Sequence, residues 1–112
     1  EGHDLFVLRG FPFADIRPKI IIAEFDNKKT ETIGYTHRDI GDLLYSLNYR
    51  VYLSEWFPIE KYGSLHKFRR LSLYPTPLLD SIAWGNFIAI DKNDSGNFDK
   101  YLSLHPVRKY IS

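Results

Sequence analysis

Glu24 and Asp26 stand two residues apart at the end of the run Pro18-Lys19-Ile20-Ile21-Ile22-Ala23-Glu24-Phe25-Asp26. A carboxylate in that position can orient a hydroxyl or accept its proton, a general-base role that contributes about 10²–10⁴-fold to a rate. Glu24 is therefore read as a catalytic residue, against the plainer reading of a buried acid tied to a neighbouring helix or loop. Asp26 is read as a turn-former. A second group gathers at Glu1, His3 and Asp4. His3 is a second candidate base, as a histidine can exchange a proton at physiological pH, though a cap or surface role would be more ordinary. Glu1 is read as functional. Asp4 is read as complementing a helix N-terminus.

A third constellation lies in residues 56–81, where Trp56, Phe57, Tyr62, His66, Lys67, Arg69, Arg70 and Tyr74 are interleaved with Pro58, Pro75 and Pro77. Aromatic faces alternating with cations suit a sugar, an anionic head group or a partner surface. Trp56, His66, Lys67, Arg69 and Arg70 are taken as the substrate-binding set. The plainer alternative is a solvated insertion covering a sheet edge. No metal site is expected: His3, His37, His66 and His105 are scattered, and there is no Cys. Asp91-Lys92-Asn93-Asp94-Ser95-Gly96 imitates the start of a calcium loop, but Leu102 stands where the bidentate Glu belongs, so a turn is expected. Asn93-Asp94-Ser95 is a glycosylation sequon that matters only in a secreted chain.

The elements that must position these groups follow from periodicity. Leu5 and Leu8 share a face of a short helix over 2–9, with Gly10 as a left-handed stop. The run 18–26 is apolar on both faces until its end, which predicts a strand buried on both sides of an α/β sheet. Its carboxyl end is where such sheets place ligands. Thr36 with Asp39 approximates a capping box, and Ile40, Leu43, Leu44 and Leu47 form the stripe of a helix that Asn48 ends. Residues 50–55 read as a second strand, with Val51 and Leu53 facing one way. Residues 82–90 read as a third, again interior. Residues 56–81 read as one long insertion or substrate loop.

At 112 residues and 44% hydrophobic, the chain can build one modest core. No run of about 18 apolar residues predicts a membrane span. The absence of Cys fits the cytoplasm. Residues 1–60 carry seven cations against ten acids, and residues 61–112 eight against four. That asymmetry is too mild for a nucleic-acid partner, which usually meets a clear basic stripe. No Met occurs, so the chain is read as a piece of a longer or processed one.

The segment Glu1-Gly2-His3-Asp4-Leu5-Phe6-Val7-Leu8-Arg9-Gly10 resembles the acidic–Gly–x–acidic–x–x–Val–Leu–x–Gly segment of FkbM-type methyltransferases. The resemblance continues through Arg17-Pro18, the apolar strand and Glu24, then through Leu44 to Tyr52. It implies the later half of a Rossmann-like fold, with about three strands in a mixed sheet and two main helices. The whole of 1–112 would then be a single partial domain of an S-adenosylmethionine-dependent O-methyltransferase acting on a hydroxyl of a carbohydrate or similar metabolite. Glu1 and Asp4 match the family's two acids, and Glu1 would also lie near the bound cofactor. The family's Gly-rich cofactor loop has no counterpart here, so the chain alone is expected to be inactive. The alternative function is a non-catalytic module that holds a glycan or protein partner through the aromatic–cationic stretch. With so few covering elements, the edge of the first strand is expected to lie open and to favour self-association.

Overall fold

The computed structural model describes residues 2–59, 61, 63 and 65–104. Helix α1 (Asp4–Gly10) leads to strand β1 (Ile20–Asp26), then to a single turn α2 (Asn27–Thr30) and a 3₁₀ turn at Glu31–Ile33. Helix α3 (His37–Ser46), strands β2 (Tyr49–Trp56), β3 (Phe68–Leu73) and β4 (Trp84–Asp91), and helix α4 (Ser95–Leu104) complete the order. The class is α/β, with a four-stranded sheet in the order β1-β4-β2-β3.

Every neighbouring pair is antiparallel, where a mixed sheet of about three strands was expected. β1 and β2 are each antiparallel to β4 and so run in the same direction as each other. The connection between them passes through α3, as a crossover between codirectional strands requires. β4 fills the slot between them.

α3 forms as its sequence dictates. Thr36 accepts from the Arg38 N–H while Asp39 Oδ2 accepts from the Thr36 N–H at 2.9 Å, the reciprocal cap that satisfies orphan donors. Asn48, at φ 65°, turns the chain left-handed just past the helix. Ile40 and Leu44 are buried, with Leu43 and Leu47 packed alongside. They meet Leu5 and Leu8 of α1, Ala23 and Phe25 of β1, Val51 and Leu53 of β2, and Phe87 and Ala89 of β4. These strand residues are all odd-numbered, so the odd face of β1, β2 and β4 is the core face. Gly10 is the last residue of α1, not a left-handed stop; extended Phe11 ends the helix.

Two further expectations are corrected. β1 is an edge strand, and only alternate residues are buried: Ala23 and Phe25 are inside, while Ile20, Ile22 and Glu24 are exposed. Helices α1 and α3 lie over the odd face; on the even face α4 sets Phe98 4.9 Å from the Tyr52 ring and Asp99 3.0 Å from Arg50. β4 is the strand that is interior, between β1 and β2. The expected loop 56–81 contains β3, which pairs with β2 as a hairpin around residues 57–67. Its loop is closed by the Phe57 N–H donating to the Lys67 carbonyl at 2.9 Å. A register shift after Glu55 leaves Arg69 outside the ladder and sets Arg70 opposite Glu55. α2 and α4 add to the two helices expected; the expected turn is present at residues 92–94, closed by the Asp94 N–H donating to the Asp91 carbonyl at 2.9 Å, and α4 follows it.

Candidate functional site

Cross-strand partners share a face, so the register fixes what stands beside what. On the even face one row reads Glu24, Asn86, Ser54, and the next reads Asp26, Trp84, Trp56. Both rows lie at the carboxyl ends of β1 and β2, where α/β sheets present groups to ligands. Antiparallel β4 contributes its amino-terminal residues there. Together the rows form a shelf with two indoles at one side and two carboxylates at the open edge.

The aromatic side is ordered by its own contacts. The Trp56 and Trp84 ring centroids lie 5.7 Å apart with planes tilted by 35°. His66 sets its edge against Trp84 at 4.9 Å, and Phe68 stands edge-on to Trp56 at 5.5 Å. Trp56 Nε1 donates to Ser54 Oγ and Trp84 Nε1 to the Phe57 carbonyl, each at 3.1 Å. Both indole donors are thus satisfied, and both rings are locked in orientation. The Arg69 guanidinium stacks over Phe57 at 4.6 Å. Lys67 is exposed.

The carboxylate side is braced by the N-terminal segment. Asp4, in the first turn of α1, accepts the Glu24 backbone N–H through Oδ2 at 2.8 Å. The Tyr35 hydroxyl donates to the Gly2 carbonyl, and burial pushes its pKa up, so it stays a protonated donor. His3 sits at the N-cap position of α1 without a side-chain cap, its ring 6.0 Å from Phe6. Glu24 and His3 are therefore both tied to Asp4, one by a hydrogen bond and the other by sequence. Glu1 lies outside the described residues. Asp26 stands at the N-cap position of α2.

Arg70 does not join this set. It turns to the core face, where Nε donates to Glu55 Oε1 at 2.9 Å and the guanidinium also reaches the Pro77 carbonyl. Glu55 is completely buried and accepts the Leu79 N–H at 3.0 Å as well. A buried carboxylate needs a paired cation, and the register supplies Arg70 directly opposite. Its place in the substrate-binding set is corrected on that ground.

A second buried polar pair underlies the carboxyl end of β1. Asn27 accepts the His37 N–H at 2.7 Å, and its amide meets His37 Nδ1 at 2.9 Å. An amide donor at Nδ1 leaves the proton of the neutral ring on Nε2, which is buried without a partner among the described residues. Burial holds the His37 pKa below its ordinary value, with Arg38 adding to the effect.

Sequence reasoning missed Trp84 and Asn86 as members of the shelf. The signal was present in the alternation of Trp84, Asn86, Ile88 and Ile90, but only the pairing with β1 and β2 shows that these share a face with Glu24 and Trp56. Among the described residues no group of three His, Asp or Glu is placed to hold a metal ion, and no helix is long and apolar enough to cross a membrane. The cavity beside the shelf, lined by Asp26, Lys28, Pro58, Ile59, Ile82 and Trp84, encloses about 70 Å³. No protein-family model, curated protein or solved structure matches the chain.

Proposed function

We propose that the chain is the acceptor-binding part of an S-adenosylmethionine-dependent O-methyltransferase domain of Rossmann-like type, acting in the cytoplasm on a hydroxyl of a carbohydrate or similar metabolite. The observation that carries this reading is the shared face: exposed Glu24 stands one row from Trp84 and Trp56, at the carboxyl ends of two codirectional strands. A sugar ring has apolar C–H faces that lie against indoles and hydroxyls at its rim. Bound across the shelf, it would rest on Trp84 and Trp56 and turn a hydroxyl toward the carboxylate edge. Glu24 would align that hydroxyl and take its proton as the oxygen gains a methyl group. Asp4 holds the Glu24 backbone in place through its bond to the N–H.

The space beside the shelf does not fit the methyl donor. The cavity beside Asp26, at about 70 Å³, is far below the roughly 300–1,000 Å³ typical of sites for ligands of that size. No G-x-G-x-x-G turn occurs in the chain. No step is assigned through the cofactor, and this chain by itself is expected to bind acceptor without methylating it.

A second reading, a non-catalytic glycan- or protein-binding module, is favoured by one specific observation: Trp84, Trp56, His66 and Phe68 form a continuous aromatic cluster that needs no carboxylate to hold a ligand. The two readings separate at Glu24. Titration of the chain with methyl glycosides and short oligosaccharides, followed by tryptophan fluorescence, tests the binding common to both. Saturable quenching that Trp84→Ala removes is expected. Unchanged fluorescence across the series would set both aside as carbohydrate readings.

A further inference from the structure

The free edge of β1 carries a specific and short set of hydrogen-bonding groups. Asp91 N donates to the Lys19 carbonyl at 2.8 Å, so odd residues of β1 face β4 and even residues face outward. Not all outward groups are open. Pro18 has no N–H, and its carbonyl accepts from the Tyr49 hydroxyl at 2.7 Å. The Glu24 N–H is held by Asp4 Oδ2 at 2.8 Å. Between these two closed ends lie Ile20 and Ile22, whose N–H groups have no partner among the described residues. Their side chains are 58% and 68% exposed.

We propose that this edge binds a second copy of the chain, β1 against β1, antiparallel about Ile21. In that register Ile20 lies opposite the second copy's Ile22, and each pair exchanges N–H and C=O in both directions. The open donors of both strands are then used, and none is stranded. Pro18 falls opposite the second copy's Glu24, so the residue without a donor meets the residue whose donor is already taken. A register shifted by two residues would lose this match.

The side chains agree with the same register. Ile20 and Ile22 of both strands gather on one face as a four-residue apolar cluster. Lys19 lies opposite the second copy's Ala23, one residue along the edge from the N–H that holds that copy's Asp4 carboxylate; that copy's Glu24 side chain projects to the other face. Each strand is cationic at its start and acidic at its end, so antiparallel pairing sets opposite charges together twice. Asp4 also limits the ladder. It occupies the Glu24 donor and keeps the edge from templating indefinite growth, which makes a closed dimer the product.

Sedimentation velocity on the 112-residue chain between 1 and 100 μM tests this. A monomer–dimer equilibrium is expected. Ile22→Pro removes only an outward N–H, leaves the β4 ladder intact and should weaken the dimer about tenfold or more, with the far-ultraviolet spectrum unchanged. Lys19→Glu sets like charges together at both ends and should weaken it as well, more at low salt than at high salt. A monomer throughout that range overturns the inference. So does a dimer that both variants leave intact, because its contacts would lie elsewhere.

Discussion

Replacing Arg70 by Met tests whether that cation is structural. The guanidinium Nε lies 2.9 Å from a carboxylate with no solvent exposure, and Arg70 is itself 9% exposed. At an effective dielectric near 20, unit charges at such a distance attract by about 5–6 kcal/mol, a gross figure offset by the cost of dehydrating both. Removing one partner of a buried pair costs about 3–5 kcal/mol, because the remaining charge is left in the interior. Among the described residues, Glu55 would keep only the bond from the Leu79 N–H. Urea unfolding followed by tryptophan fluorescence should show that loss as a lower midpoint at unchanged slope. For a domain of this size, 1 kcal/mol corresponds to about 4–8 °C, so the melting temperature should fall by at least about 12 °C. The double variant Arg70→Met/Glu55→Gln removes both charges and should recover much of the difference. An Arg70→Met protein within about 1 kcal/mol of the parent would refute the buried-pair reasoning and return Arg70 to the ligand-binding set.

Two other outcomes are expected. His37 is held neutral by burial, its pKa below the ordinary 6.5, so the unfolded chain takes up a proton at a pH where the folded one does not. The corresponding stability is fully present above pH about 6.5 and is lost as pH falls from there toward the depressed folded value; the urea midpoint should drop between pH 7 and 5, and His37→Asn should flatten that slope. In the methyltransferase domain proposed above, Glu24→Gln should reduce turnover by about 10²–10⁴-fold while acceptor affinity changes little. Parental turnover would leave the second, non-catalytic reading of the shelf.

The local elements were legible because short-range chemistry decides them. The Thr36–Asp39 cap, the Ile40–Leu47 stripe and the left-handed Asn48 need no knowledge of the rest of the chain. β1 and β4 were visible for the same reason, as β-branched and aromatic runs. What neighbours each strand depends on tertiary pairing. Ile20 and Ile22 look like core residues in sequence, yet they stand at the edge of the even face, outside the small cluster that Phe98 of α4 forms with Tyr52 and Ile90. β3 was hidden because Arg69 and Arg70 interrupt the apolar pattern. The bulge that sends one outward to Phe57 and the other inward to Glu55 is a property of the pairing with β2. Glu24 and Trp56 were each picked out from sequence, but their common face depends on β4 lying between them, and so does the inclusion of Trp84 and Asn86.

The shelf is the central claim, and residue-resolved NMR of the chain titrated with a methyl glycoside addresses it most directly. The indole N–H signals of Trp56 and Trp84 and the backbone amides of Glu24 and Asn86 should move together along one saturation curve, while Ile40 and Leu44 on the helix side stay fixed. Shifts confined to the helix side, or none at millimolar ligand, would contradict it.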